Sequence, residues 1–139
     1  MNVSFKIMAD LAELNVLPTH LRSVQNEWLL PGRIIAQINL ILDEHITNII
    51  EHGKLDKSHA IDVALAKSDT ELIITVIDDG PPFDPTLCAA PDVTLPLEKR
   101  QCGGLGIHLV RSLCDCCSYT RSAGKNILTL KRTLSKECR

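Results

Sequence analysis

The chain of 139 residues is 45% hydrophobic and 23% charged, as expected for one globular domain over residues 1–139. Its 17 acidic and 15 basic side chains give a formal net charge of −2. This balance disfavours nucleic-acid binding, which depends on neutralising phosphates. The sequence contains no apolar run long enough to cross a bilayer and no pattern typical of a signal peptide. We therefore expect neither nucleic acid nor a membrane as a partner.

The six cysteines are interpreted as thiols in a reducing cytoplasm, because the chain has enough apolar residues to fold without disulfides. Cys114 and Cys117 form a C-x-x-C spacing, with Cys116 between them. A metal or redox site is the alternative, but neither a second C-x-x-C nor a nearby His pair completes four ligands. We favour cysteines that pack as small apolar side chains.

The first half of the chain predicts one strand and two helices. Residues 2–8 alternate in polarity, which is typical of a strand. Helical spacing of apolar residues follows from about residue 10 to 30, with Pro18 in the first turn or at a break before it. A second helix is predicted from about Arg33 to His52 and is ended by Gly53.

The second half predicts four strands and one helix. Residues 61–65 and 71–77 form a hairpin, and a proline-rich loop follows at about 79–102. A helix is predicted from Gly103 through Cys117, and two strands follow at about 118–122 and 127–133. This order predicts an α+β two-layer sandwich, in which helices cover one face of a mixed, mostly antiparallel sheet.

The second predicted helix carries a polar stripe beside its core face. Glu44, Asn48 and His52 recur every four residues along that stripe. The side-chain oxygens of Glu44 and Asn48 suit Mg²⁺, and polar groups at a core boundary are costly unless they bind something. The alternative is a solvated flank, with His52 favourable to the helix dipole. The core face itself is predicted to consist of Ile35, Ile38, Leu42, Ile46 and Ile49.

Two glycine-containing segments flank the proline-rich loop. Asp78 ends a strand, where its carboxylate can accept a hydrogen bond from an exocyclic amine, and Gly80 admits a flat ligand to the backbone. Gly103-Gly104-Leu105-Gly106-Ile107 opens a helix, and N–H groups at a helix start can bind an anion. Each signal is weak alone, since the first is also an ordinary turn and the second lacks the Lys-Ser/Thr of a P-loop.

In combination and in this order, the motifs resemble those of the GHKL ATPases. Residues 43–53 are most similar to the N box of the anti-sigma-factor serine kinases, residues 78–85 to their G1 box and residues 103–107 to their G2 box. The resemblance implies a Bergerat-type ATP-binding fold, the histidine-kinase-like ATPase domain.

The resemblance further implies an ATP- and Mg²⁺-dependent serine/threonine kinase. Asn48 would hold Mg²⁺, and Glu44 would accept the proton of the attacking serine. Asp78 would bind the adenine amine beside Gly80. The residues that would contact phosphate are Gly104, Leu105, Gly106 and Ile107.

The resemblance also supplies partners and leaves alternatives. The expected partners are a small anti-sigma-factor antagonist protein, a sigma factor and a second copy of the chain in a homodimer. The loop at about 79–102, with Lys99 and Arg100 near its end, would form a lid. A nucleotide-dependent binding switch and a plain ATPase would use the same pocket, so both stay open.

Three departures from the family pattern matter. Pro82 stands where the G1 box commonly has a second glycine, which removes an N–H group. Gly124-Lys125-Asn126-Ile127 replaces a Gly-Thr near the adenine, so a contact from Asn126 stays open. No His-Glu phosphoacceptor pair lies on a preceding helix, which excludes a complete histidine kinase.

Overall fold

A computed structural model describes residues 1–87 and 113–134. Short 3₁₀ helices lie at Leu11–Val16 and Pro85–Leu87. The main elements are β1 (Asn2–Met8), α1 (Leu17–Trp28), α2 (Gly32–Gly53), β2 (Ala60–Lys67), β3 (Glu71–Asp78), β4 (Cys116–Ser122) and β5 (Lys125–Thr133).

The five strands form one sheet in the order β1-β2-β3-β5-β4, so β3 is the central strand. Every strand pairing within the described residues is antiparallel. Alternate residues on β2, β3 and β5 are buried, and they join the buried faces of α1 and α2 in one core. The predicted α+β class, with helices on one face of the sheet, is confirmed.

The helix α2 begins and ends close to its predicted limits, whereas α1 begins at Leu17 rather than near residue 10, and a 3₁₀ helix occupies Leu11–Val16. Pro18 lies in the first turn of α1, where its missing N–H costs no hydrogen bond. Gly53 is the last residue of α2, but the left-handed conformation that ends the helix belongs to Lys54, with φ of 51°. No helix in the described parts of the chain is both long and apolar enough to cross a bilayer.

The buried face of α2 is wider than predicted. Ile35 is only half-buried, whereas Ile34, Ile41 and Ile50 are buried together with the other predicted core residues. The helix packs against α1 as well as against the core of the sheet. Two neighbouring surfaces therefore bury more of its circumference than a single apolar arc would require.

The prediction of a helix through Cys117 is wrong at its carboxyl end. Cys116 already pairs with Lys131 in the sheet, and the backbone N–H of Asp115 donates to the Lys131 carbonyl at 2.8 Å. Cys117 and Tyr119 are half-buried while Cys116 and Ser118 are exposed, which is the two-residue period of a strand. The predicted helical positions 103–112 lie outside the described residues.

Candidate functional site

Asp78 is a buried carboxylate at the end of the central strand. The alternation of β3 places it on the same face as Leu72, Ile74 and Val76, and it is only 5% exposed. Its Oδ1 accepts hydrogen bonds from the Gly80 N–H at 2.9 Å and from Asn126 Nδ2 at 3.0 Å. Both hydrogen bonds that the Asp78 side chain makes to described residues involve Oδ1. Oδ2 can therefore accept a hydrogen bond from the amine of a ligand.

Gly80 lies so close to Asp78 that a larger residue would fit only if its neighbours shifted by a few tenths of an ångström. A Cβ at this position would be 3.0 Å from Asp78 Oδ1 and 3.3 Å from Leu55 Cδ2. The glycine therefore lets the backbone turn back to donate to the carboxylate. The sequence predicted that Gly80 admits a ligand, and the structure adds this packing requirement.

Asn126 is the centre of a polar network at this end of the sheet. It lies opposite Asp78 in the β3–β5 register and is 6% exposed. Its Nδ2 donates to the Pro81 carbonyl at 2.9 Å as well as to Asp78. Its Oδ1 accepts from Tyr119 Oη at 2.5 Å and from Arg121 Nη1 at 3.1 Å. The residue that the sequence left open is therefore central to the site.

Sequence reasoning did not identify Tyr119 and Arg121 as members of this network. Arg121 lies opposite Asn126 in the β4–β5 register, and its Nη1 also donates to the Gly80 carbonyl at 2.6 Å. One signal for the network was available. Asn126 shares a strand face with Leu128 and Leu130, and a polar residue in such a row requires a partner.

The polar stripe predicted on α2 is present but is not uniformly solvated. Glu44 is half-buried, Asn48 is 5% exposed, and His52 is exposed near the end of the helix. The His52 ring stacks on Phe83 with a centroid distance of 4.8 Å and an interplanar angle of 15°. His52 therefore contacts the segment after β3, which its predicted interaction with the helix dipole did not include.

Asn48 fits the single protein ligand that Mg²⁺ often takes. Its Nδ2 is buried and has no hydrogen-bond partner among the described residues, so its amide is incompletely satisfied. A carboxamide oxygen is a hard ligand, and Mg²⁺ commonly completes its shell with water and phosphate oxygens. The polar stripe is therefore compatible with a Mg²⁺–phosphate group beside α2.

A small cavity joins α2 to the end of the central strand. His45 and Ile49 border it from the helix, and Asp78, Tyr119 and Asn126 border it from the sheet. Pro81, Phe83 and Pro85 complete the wall from the segment after β3. The cavity volume is only about 10 Å³, which is room for about one water molecule. A larger ligand therefore needs the 81–87 segment to move.

His45 is a further polar residue of this wall that was not predicted as a site residue, although it lies within the N-box-like segment 43–53. It is 4% exposed, and its imidazole forms no hydrogen bond with the residues in 1–87 and 113–134. Burial lowers its pKa to about 4, so the imidazole is neutral at pH 7. A signal for it existed, because it shares a helical row with Ile41 and Ile49.

The thiols of Cys114 and Cys117 are better suited to packing against the core than to redox reactions or metal binding. A hydrogen bond with Cys117, followed by burial, raises the pKa of the Cys114 thiol. Redox reactions and metal binding both require the thiolate form, which this environment disfavours. Cys114 and Cys117 pack against the hydrophobic core.

The family model for the histidine kinase-like ATPase domain matches residues 7–132. The chain belongs to this family. The match extends from β1 to β5 and includes the Asp78–Asn126 network and all of α2. The family confirms the predicted resemblance and the use of ATP by such a domain.

Two curated relatives are named as protein kinases. The serine/threonine-protein kinase BtrW of Bordetella bronchiseptica is 31% identical over 110 residues, covering 78% of this chain and 75% of that protein. The serine-protein kinase RsbW of Bacillus cereus is 23% identical over 133 residues, covering 93% of this chain and 83% of that protein. The activity predicted from the sequence is thus the one in these relatives' names.

Solved structures confirm the fold. The RsbU and RsbW domains of Rv1364c from Mycobacterium tuberculosis match with a TM-score of 0.63 and 20% identity, over 96% of this chain and 32% of that chain. A chain of the SiaB–SiaC complex from Pseudomonas aeruginosa matches with a TM-score of 0.59 and 13% identity. The match covers 95% of this chain and 89% of that chain.

The predicted site residues are partly brought together. Asp78 borders the cavity and accepts a hydrogen bond from the Gly80 N–H, whereas Glu44 and Asn48 lie on α2 next to residues that border the cavity. The predicted phosphate-binding residues, together with Lys99 and Arg100, lie outside the described residues. Of the predicted lid, residues 79–87 are described, and Pro81, Phe83 and Pro85 among them border the cavity.

Proposed function

We propose that this protein is an ATP-dependent protein serine/threonine kinase that transfers the γ-phosphate to a serine of a small regulatory protein. The observation that carries the proposal is Asp78, a buried carboxylate beside a cavity with Oδ1 held and Oδ2 available. Membership in the ATPase family and two relatives named as serine kinases support the same activity.

Asp78 favours adenine over guanine on chemical grounds. The adenine amine can donate to Oδ2, whereas guanine has a carbonyl at the equivalent ring position. A carbonyl oxygen facing a buried carboxylate would place two acceptors together, which is unfavourable. The proposal therefore predicts binding of ATP and poor binding of GTP.

The helix supplies the groups for phosphoryl transfer. Glu44 accepts the proton of the serine hydroxyl as its oxygen bonds to the γ-phosphorus and the bond to the bridging oxygen of ADP breaks. Asn48 holds Mg²⁺, which neutralises phosphate charge when bound. Gly104, Leu105, Gly106 and Ile107 are proposed to contact the phosphates through their backbone, and about 79–102 to form the lid.

The proposal includes the setting in which the kinase acts. Its substrate is a small anti-sigma-factor antagonist, with a sigma factor as a second partner, and it acts as a homodimer in the cytoplasm. The structural match to a complex of two proteins supports partner binding by this fold. A single domain over residues 1–139 is in keeping with the one continuous core.

The fate of the γ-phosphate tests this function. The protein is incubated with γ-labelled ATP, Mg²⁺ and candidate antagonist proteins, and label is followed to protein, phosphate ion or neither. We expect label on an antagonist serine, with loss of transfer when that serine is replaced by alanine. Release of label only as phosphate ion would indicate an ATPase, and retention in bound ATP would indicate a binding switch.

Asp78→Asn tests the observation that carries the proposal. The variant loses the charged acceptor, so ATP should bind about 10- to 100-fold more weakly, as for loss of a hydrogen bond to a charged group. Asp79→Asn is the matched control, because the exposed Asp79 pairs with His59 at 2.9 Å and does not border the cavity. Calorimetry should show near-normal affinity for the control, and equal losses in both variants would contradict the role of Asp78.

A further inference from the structure

His45 is the polar residue of the cavity wall that has no hydrogen-bond partner within the described residues. Asp78, Tyr119 and Asn126 border the same cavity, but they are bonded to one another through Asn126. The ring nitrogens of His45 are not among the fully buried unpaired atoms of the described residues, but a polar ring that is only 4% exposed in a mostly apolar wall is costly unless something bonds to it. Apolar residues occupy the neighbouring positions Ile41 and Ile49 of the same helical row, and they incur no such cost. The retained imidazole therefore points to a ligand that completes its bonding.

The chemistry of the wall limits what that ligand can be. Asp78 offers an acceptor, and a neutral imidazole offers one N–H donor and one acceptor nitrogen. A planar ring that carries an amine next to a ring nitrogen acceptor satisfies both groups at once. In adenine the amine has such a nitrogen on each side, N1 and N7.

We infer that His45 is a base-reading residue, whose ring N–H donates to the N1 or N7 atom of the adenine whose amine donates to Asp78. This inference rests on the proposed binding of ATP and adds a specificity residue to it. Asp78 and His45, on two walls of the cavity, then bond to two neighbouring groups of one base, the amine and a ring nitrogen. Pro81, Phe83 and Pro85 must move away to admit it, because the present volume of about 10 Å³ is too small.

Deaza analogues of ATP test the inference one atom at a time. Binding of ATP, 1-deaza-ATP, 3-deaza-ATP and 7-deaza-ATP is measured by calorimetry with the wild-type protein and with His45→Phe. We expect either the 1-deaza or the 7-deaza analogue to bind the wild type about three- to tenfold more weakly than ATP, the effect of one neutral hydrogen bond. The 3-deaza analogue should bind like ATP, because N3 is not adjacent to the amine.

The decisive quantity is the difference between proteins. In His45→Phe the deaza penalty should disappear, because the ring keeps its bulk but loses its N–H. His20→Phe is the control, since His20 stacks on Phe5 and does not border the cavity. It should retain the wild-type penalty. Equal penalties in wild type and His45→Phe, or none in the wild type, would overturn the role of His45.

A second measurement covers the case in which His45→Phe does not fold. The ring nitrogen shifts of ¹⁵N-labelled His45 in the wild type should move on addition of ATP and move less with the penalised deaza analogue. Identical shifts with ATP and all three analogues would reject the contact. If the wild type binds no ATP at all, the proposed function fails and the inference fails with it. If ATP binds without any coupling to His45, only the inference fails.

Discussion

Two buried asparagines near the candidate site differ sharply in their bonding. Asn126, 6% exposed at the end of the sheet, uses both polar atoms of its amide in hydrogen bonds to six other residues. Asn48, 5% exposed on α2, has a buried Nδ2 without a partner among the described residues.

The same contrast holds for the surroundings of the two residues. The Asp78 carboxylate at the sheet end is bonded to Gly80 and Asn126, whereas the imidazole of His45 on α2 forms no hydrogen bond with a described residue. The sheet end is thus organised before any ligand binds. The helix side carries polar groups, Asn48 Nδ2 among them, whose bonding is incomplete among the described residues.

The largest expected effect concerns Glu44 on α2, the proposed base in phosphoryl transfer. Glu44→Gln keeps the shape of the side chain and removes the base, so the rate of phosphoryl transfer should fall by about 10²- to 10⁴-fold. ATP affinity should change little, because the substitution leaves the proposed adenine-binding residues at the end of the sheet unchanged.

The control for Glu44 is Glu51→Gln on the same helix, since Glu51 is exposed. It should transfer phosphate at nearly the wild-type rate. A transfer rate in Glu44→Gln equal to that of Glu51→Gln would show that Glu44 is not the base.

Because the His45 imidazole on α2 is buried, the free energy of unfolding depends on pH. The pKa of His45 is about 4 in the folded protein and 6.5 in the unfolded chain. Below pH 6.5 the unfolded chain binds the extra proton first, so this contribution to stability is lost as pH falls from 6.5 towards 4. The full loss is about 3 kcal/mol of the free energy of unfolding.

Urea unfolding at pH 7 and pH 4.5 measures this loss. His45→Phe should show a smaller difference between the two pH values than the wild type, because its ring cannot take up a proton. Asp78 borders the same cavity and is present in both proteins, so its own titration largely cancels in the comparison. Equal differences in the two proteins would show that His45 is not buried in neutral form.

The two asparagines themselves provide a matched pair of substitutions. Asn126→Ala removes the partner of Asp78, the Pro81 carbonyl and Tyr119, so the free energy of unfolding should fall by about 1–3 kcal/mol. Asn48→Ala should cost less stability than Asn126→Ala but weaken Mg²⁺-dependent ATP binding. Urea unfolding and calorimetry with and without Mg²⁺ test both, and the reverse pattern would contradict the comparison.

Sequence patterns predicted the parts of the site that depend on local periodicity. Asp78 follows an alternating strand, and Glu44 and Asn48 recur one helical turn apart, so their elements and faces could be predicted. The network around Asn126 could not, because it depends on the register that sets Asn126 opposite Asp78 and Arg121. Register arises from packing and turns, which no single segment encodes.

His45 and Phe83 were missed for a different reason. Their roles depend on which elements border one cavity, and that arrangement appears only when α2, β3 and the 81–87 segment are packed together. The strand predicted at about 118–122 begins two residues earlier, at Cys116, and its start was misplaced because apolar cysteines also fit the end of a helix. Pairing with Lys131 decides in favour of the strand.

The smallest expected effect concerns the segment between the two sides. Phe83 borders the cavity and stacks on the exposed His52 ring, and the cavity that remains is too small for a base. Nucleotide binding must therefore disrupt a stacked pair, whose worth is about 0.5–1.5 kcal/mol. Phe83→Ala removes this cost from the binding equilibrium, so ATP affinity should rise about two- to tenfold.

Calorimetry measures this gain in affinity. Phe83→Tyr is the control, because it keeps the stack on His52 and should bind ATP like the wild type. Weaker ATP binding by Phe83→Ala would mean instead that the ring contacts the bound base, and the segment would then belong to the binding surface rather than exclude the nucleotide from it.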